Sequence, residues 1–194
     1  MGKPKLTDGD YFFDSERLGF RKFNNSDIDS FLELNADPEV MRYFPSTLDR
    51  DQTQNLMNVI NKHIDEHGFG FFAVDYLSDK KMIGFIGLKK VDFEADFIPA
   101  VEIGWRLNKK YWNKGLATEG AKRCLEFAFS DLGLKKIYSF TPLINQPSER
   151  VMQKIGMKKI NEFDHPKVET GHSLERHCLY HLTKTEFESG ISQR

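Results

Sequence analysis

A chain of 194 residues, 39% apolar and 29% charged, is long enough to bury one sizeable core and has the balance of an ordinary globular domain. Its 13% aromatic content, carried mostly by 17 Phe, argues against extended disorder. A formal net charge of −1 excludes the broad basic face that nucleic-acid binding needs.

The opening MGKPKLTDGDYFF lacks the apolar run of a signal peptide. Gly2 fails the N-myristoylation pattern because position 6 is Leu rather than Ser or Thr. No apolar stretch is long enough to span a bilayer. Cys124 and Cys178 lie far apart and suggest no disulfide framework. The expected setting is therefore the cytoplasm, with two buried thiols.

In chain order, LGFRKF (18–23) alternates as a first strand. Asn25, Ser26 and Asp27 offer caps for a helix through IDSFLELN. DPEVMRYF (37–44) reads as a second short helix stopped before Pro45. Leu56, Val59, Ile60 and Ile64 recur at helical spacing between Asp49 and His67, and Gly68 ends the run. GFFAVDY (70–76), KMIGFIGLKKVDF (81–93) and AVEIGWRL (100–107) read as an antiparallel run of strands. A helical stripe over Ala121, Cys124, Leu125, Ala128 and Leu132 ends at Gly133. KKIYSFTPL (135–143) is a strand, and QPSERVMQKIG (146–156) a short helix with Pro in its first turn. MKKINEF (157–163) and HCLYHLTKTEF (177–187) close the list as strands, before a frayed ESGISQR tail. Seven strands and their helices predict an α/β fold with a mixed, mostly antiparallel sheet flanked by helices, in one domain over 1–194.

YWNKGLATEG (111–120) hands a strand over to a helix. Free N–H groups at a helix start attract anions, and a glycine admits close approach to the backbone. Asn113 to Thr118 could therefore wrap a phosphate, or Gly115 could be an ordinary left-handed turn residue. The stretch is neither a P-loop nor a dinucleotide GxGxxG.

Together with AVEIGWRL upstream and NQPSERVMQKIGM (145–157) downstream, this motif resembles the GNAT superfamily of acyl-CoA-dependent N-acetyltransferases. The likeness is strongest to the RimJ/RimL-like branch that acetylates ribosomal-protein N-termini, and runs from about residue 15 to about residue 187. The resemblance implies acetyl-CoA as co-substrate, no metal, and an amine acceptor: a peptide N-terminus, or a small polyamine, amino acid or antibiotic. It implies a pyrophosphate seat on Asn113, Lys114, Gly115, Leu116, Ala117 and Thr118, with Trp112 where many members carry Gln or Arg. It implies backbone pairing of the pantetheine arm with Trp105, Arg106 and Leu107, one N–H of which could hold the thioester oxyanion. Asn145 matches a further cofactor contact. Glu102 matches a general base, unless it sits on the solvent face of its strand. Met152 stands where many members place a Tyr acid, so Ser148 is the candidate hydroxyl near the sulfur, with helix capping as its other reading. The Met152 mismatch also leaves open a CoA-binding module without catalysis.

His63 and His67, and the crowd His165, His172, His177 and His181, have metal-like spacings but lack the rest of a ligand set. The second group reads better as a wall of the acceptor site, and Tyr180 could point to the acyl site or pack in the core. Lys109, Lys110 and Lys114 could meet CoA phosphates, and the acidic VDFEADF (91–97) could attract an amine or simply be solvated. The strand edges and abundant Phe fit a monomer or a homodimer alike.

Overall fold

A computed structural model describes residues 11–191, so residues 1–10 of the opening segment read above and the last three residues lie outside it. Among the described residues, no helix is long and apolar enough to cross a membrane.

Eight strands make one sheet: β1 (Phe13–Asp14), β2 (Leu18–Arg21), β3 (Phe71–Tyr76), β4 (Lys81–Lys90), β5 (Val101–Leu107), β6 (Lys136–Pro142), β7 (Lys158–Asp164) and β8 (Arg176–Thr183). Their order is β1-β2-β3-β4-β5-β6-β8-β7. Every pairing is antiparallel except β5 with β6, which is parallel. The expected mixed, mostly antiparallel sheet is present, with one strand more than the seven read from the sequence. The extra strand, β1, is two residues long and too short to show a period.

Five helices flank the sheet: α1 (Ile28–Ala36), α2 (Arg50–His67), α3 (Leu116–Glu126), α4 (Gln146–Lys154) and α5 (Lys184–Ile191). Asp49 and Gln52 cap α2 reciprocally, and Gly68 at φ 77° closes it. α3 gives way to a π turn over Phe127–Asp131 rather than running on to Gly133 as an α-helix. Gly120 lets α3 lie close on the sheet, since a Cβ there would stand 2.4 Å from Ile86 Cδ1. The core is aromatic: Phe13 stacks on Phe20 at 4.6 Å and on Phe127 at 4.7 Å. Most of the phenylalanines are buried or half-buried, so they form no apolar outer surface, and Phe44 is the exposed exception among the described ones.

Two expectations fail locally. Residues 37–44 form turns, not a helix. One helical bond, Met41 N–H to Asp37 O, is followed by a tighter Phe44 N–H to Met41 O turn, and so short a segment before Pro45 cannot offset helix nucleation. The last strand stops at Thr183 and α5 begins. Thr183 Oγ1 accepts from Glu186 N–H, while Glu186 Oε2 accepts from Thr183 N–H at 3.0 Å. That is a capping box, T-x-x-E, which overrides the apparent continuation of the strand, so Glu188–Ile191 end a helix.

Arg21 ties the first layer together. Its guanidinium meets Asp27 at 2.6 Å and Asp75 at 2.7 Å, and both carboxylates are buried. Arg21→Met should therefore leave two buried carboxylates without their counter-ion and destabilise the protein by about 3–5 kcal/mol. Urea unfolding followed by circular dichroism checks this; a loss below ~1 kcal/mol would contradict the assignment.

Candidate active site

β5 and β6 share a single paired position, Glu102 with Tyr138, and then diverge. Ser139 Oγ donates to Ile103 O at 2.9 Å and closes the apex of the V. Beyond it the two strands part. Asn108 N–H donates to Ile83 O on β4, whereas Ile103 O turns to β6, so even-numbered residues of β5 present their backbone to β4 and odd-numbered ones to the opening. The Trp105 N–H and C=O and the Leu107 N–H thus face the slot, while Leu107 O is taken by Trp112 Nε1 at 2.8 Å. Arg106 departs from the sequence expectation. Its backbone belongs to the ladder with Phe85, and it is its side chain that lines the cleft.

The slot opens into a cleft of about 790 Å³. One end is the loop before α3. Gly115 is the N-cap residue at φ 78°, and Asn113 is also left-handed at φ 59°. The first helical bond is Glu119 N–H to Gly115 O at 3.0 Å, so the N–H groups of Leu116, Ala117 and Thr118 have no partner within the helix. A Cβ on Gly115 would meet only Arg17 Nη2, at 3.7 Å. The left-handed backbone favours glycine here, and the space above it is open. Asn113, Gly115, Leu116, Ala117 and Thr118 line the cleft, as Asn145 does from the opposite wall. Lys114 is exposed, with its ammonium 5.2 Å from the Tyr111 ring centre. Lys109 and Lys110 are instead engaged by Asp37, Glu39 and Glu33.

Two residues that sequence reasoning missed brace this loop. Arg17 Nη1 donates to Lys114 O at 3.0 Å, and its Nε donates to Glu119 at 2.7 Å. Glu119 also accepts from Ser15 Oγ and Arg17 N–H. Burial opposes its charge, but these bonds outweigh it and hold the carboxyl below its usual range. The pair is 102 positions apart in sequence, and no local pattern announces it.

At the other end, Glu102 is half-buried and lines the cleft. Its carboxyl makes no hydrogen bond or ion pair with another described residue. Desolvation raises its carboxyl to about 7, with Lys89 and Lys167 opposing and Asp92 assisting. Asp92, the first acid of the 91–97 loop, is itself bound by Lys89 and Lys167 at 2.9 and 2.7 Å. Asn145 anchors the start of α4: its Nδ2 donates to Thr141 Oγ1 at 2.8 Å and to Ser148 Oγ at 3.1 Å, and its Oδ1 accepts from Ser148 N–H. Asn145, not Ser148, is the cap, and the Ser148 hydroxyl hydrogen stays free for the cleft. Met152 is buried behind it and has no proton to give.

His165 and His177 line the cleft with their rings 4.8 Å apart, amid Phe93, Phe140 and Phe163. Desolvation lowers both, His165 to about 4, so this wall is apolar and uncharged at neutral pH. His63 has both ring nitrogens occupied, Nδ1 by Phe69 O and Nε2 by Lys90 N–H. Among the described residues no group of His, Cys, Asp and Glu could hold a metal. Tyr180 packs against α4, its hydroxyl donating to Glu149 at 2.8 Å. Cys124 and Cys178 are free and buried.

Comparison with known proteins identifies the family of this chain. Residues 17–158 match the model of the acetyltransferase (GNAT) domain. The chain is 33% identical over 146 residues to the uncharacterized N-acetyltransferase YnaD of Bacillus subtilis, covering 75% of this chain and 81% of that one. A GNAT-family acetyltransferase structure from Bacillus anthracis superposes with a TM-score of 0.75 at 30% identity, over 89% of this chain and 98% of the other. Spermidine N-acetyltransferase of Vibrio cholerae, solved with CoA and spermine, shares the fold at a TM-score of 0.71 and 20% identity, over 89% and 98% of the two chains. The chain belongs to the GNAT acetyltransferases and is an acetyl-CoA-dependent N-acetyltransferase.

Proposed function

We propose that the whole chain, residues 1–194, acts as one cytoplasmic domain that moves an acetyl group from acetyl-CoA to a primary amine by direct attack in a ternary complex. The observation that carries this reading is the slot between β5 and β6, whose backbone edge leads from the free N–H groups of α3 to the lone carboxyl of Glu102.

In this reading Asn113 to Thr118 hold the pyrophosphate, with the α3 dipole favouring the anion. Trp105 and Leu107 pair with the pantetheine arm as a missing strand would, and the Trp105 N–H steadies the oxyanion. Asn145 flanks the thiol end. Glu102 takes the ammonium proton through water, its raised carboxyl suiting it to act near neutral pH. The freed amine attacks the thioester carbon, collapse of the tetrahedral intermediate breaks the C–S bond, and the Ser148 hydroxyl hydrogen-bonds the departing thiolate and relays to it the proton that the new amide nitrogen sheds.

The Asn145-x-x-Ser148 motif and the opening strand and helices support the RimJ/RimL-like branch, and with it a protein N-terminus as acceptor. A small-molecule amine is the second reading, favoured by the V. cholerae likeness to a spermidine enzyme. Thiol release from acetyl-CoA, measured across peptides, polyamines, amino acids and aminoglycosides, separates the two; release with none of them would defeat both.

Because the Glu102 carboxyl lies above its ordinary value, its base form is withdrawn as pH falls below about 7. kcat/KM should drop about tenfold per pH unit there, and Glu102→Gln should be slow and lack that limb. A mutant profile parallel to the wild type would remove Glu102 from the chemistry. Ser148→Ala should lower kcat about 10- to 100-fold with little change in acetyl-CoA affinity by calorimetry, and unaltered turnover would dismiss it.

A further inference from the structure

The cleft holds a second isolated charge on the same strand. Glu102, Gly104 and Arg106 alternate along β5 and so face one side of the sheet, with Arg106 about 13 Å from Glu102 along the strand. Gly104 sends no side chain between them, and the ring of Phe71 lies over it instead, 3.2 Å from where a Cβ would stand, and stacks on Phe85 at 5.0 Å.

Arg106 is a cation without an anion. No carboxylate lies within ion-pair distance among the described residues; its one hydrogen bond runs from Nη1 to the neutral Asn35 Oδ1 at 2.7 Å. Phe44 and Phe85 cover it, with ring centres 3.9 and 5.2 Å away. Nε is buried and unpartnered. Nη2 also has no hydrogen-bond partner among the described residues, and Arg106 is one of the residues that line the cleft. Nε–H and Nη2 form one edge of the guanidinium, the edge that grips a carboxylate with two parallel hydrogen bonds. The fold therefore satisfies the far edge with an amide and leaves the carboxylate-binding edge without a protein partner, so a carboxylate that reaches Nε–H must displace part of the aromatic cover. Elsewhere the chain treats a buried arginine differently: Arg21 has two aspartates. Desolvation, the force that lifts Glu102, presses Arg106 the other way, to about 9, which is the mark of a charge still lacking its partner.

We infer that Arg106 is an acceptor-recognition residue that binds a carboxylate of the amine substrate, so the enzyme acetylates zwitterionic or acidic acceptors, amino acids or acidic peptide ends, in preference to polyamines. This rests on the acetyl-transfer reading above and narrows it. The aromatic cover of Phe44, Phe71 and Phe85 excludes water and strengthens the ion pair. Phe44, 37% exposed and within the 37–48 turn segment, is the outermost part of that cover.

The test uses matched pairs: free amino acids against their amides, and tetrapeptide amides beginning with Asp against those beginning with Asn. Wild-type protein should favour the carboxylate member of at least one pair by about tenfold or more in kcat/KM, the size expected of a charged hydrogen bond. The first pair reports a free α-carboxylate and the second a peptide side chain. Arg106→Met should erase the ratio, and Arg106→Lys should keep part of it. Acetyl-CoA affinity and circular dichroism confirm that the variants are folded. Calorimetric binding of the same pairs to the CoA-loaded protein gives a readout independent of turnover. Carboxylate-selective binding without thiol release would sustain the clamp and sink the catalytic reading. Equal affinity and equal kcat/KM within both pairs, or a ratio that survives in Arg106→Met, would overturn the clamp.

Discussion

Two adjacent parallel strands that refuse to pair govern this molecule. A sheet normally spends its backbone polar groups on its neighbours, and an interior strand with free N–H groups is costly unless something else meets them. Here β5 and β6 are held together at Glu102–Tyr138 and by the Ser139 hydroxyl, and nowhere further along. In the proposed function, the groups left over on β5 hold an extended ligand in register. The other features serve that opening: α3 starts where the slot ends, α4 is aimed at it by Asn145, and Arg17 with Glu119 fixes the connecting loop.

Electrostatics divides the molecule in the same way. Outside the cleft, half-buried charge is compensated, as at Arg21 and Glu119. Inside it, β5 carries one carboxyl and one guanidinium on the same face, each desolvated and each without an ion-pair partner among the described residues. A fold optimised for stability alone would fill such positions with apolar side chains. Their presence on the strand that borders the slot separates the working surface from the scaffold.

Much of this was legible in the sequence, and the parts that were not have physical reasons. The strands β2 to β8 and the helices α1 to α4 announce themselves by period, caps and glycine stops, because those signals are local. The turn sequence around Gly115 and the carboxyl at 102 were visible for the same reason. The 37–44 segment was misread because its propensity is helical while its length is too short. α5 was missed because strand alternation masked the T-x-x-E cap at Thr183. Arg17, Asn35 and Phe44 could not be assigned to the site at all: each meets its partner across a long stretch of chain, and only the folded sheet brings them together. The side chain of Arg106 shows the limit most clearly. The sequence places it beside the ligand, but whether its backbone or its guanidinium does the binding depends on which way the pleat turns.

The isolation of Glu102 also has a thermodynamic side. A carboxyl that titrates near 7 in the native state and near 4.5 in the unfolded chain binds its proton more tightly when folded. Its contribution to stability is whole below about 4.5 and is surrendered as pH climbs through 7, the reverse of the salt-bridged carboxylates Asp92 and Glu119. The range in which the base becomes competent is thus the range in which the native state gives up stability to hold it. Proton affinity has been moved from the unfolded chain to the active site, and the fold carries that transfer as a standing strain.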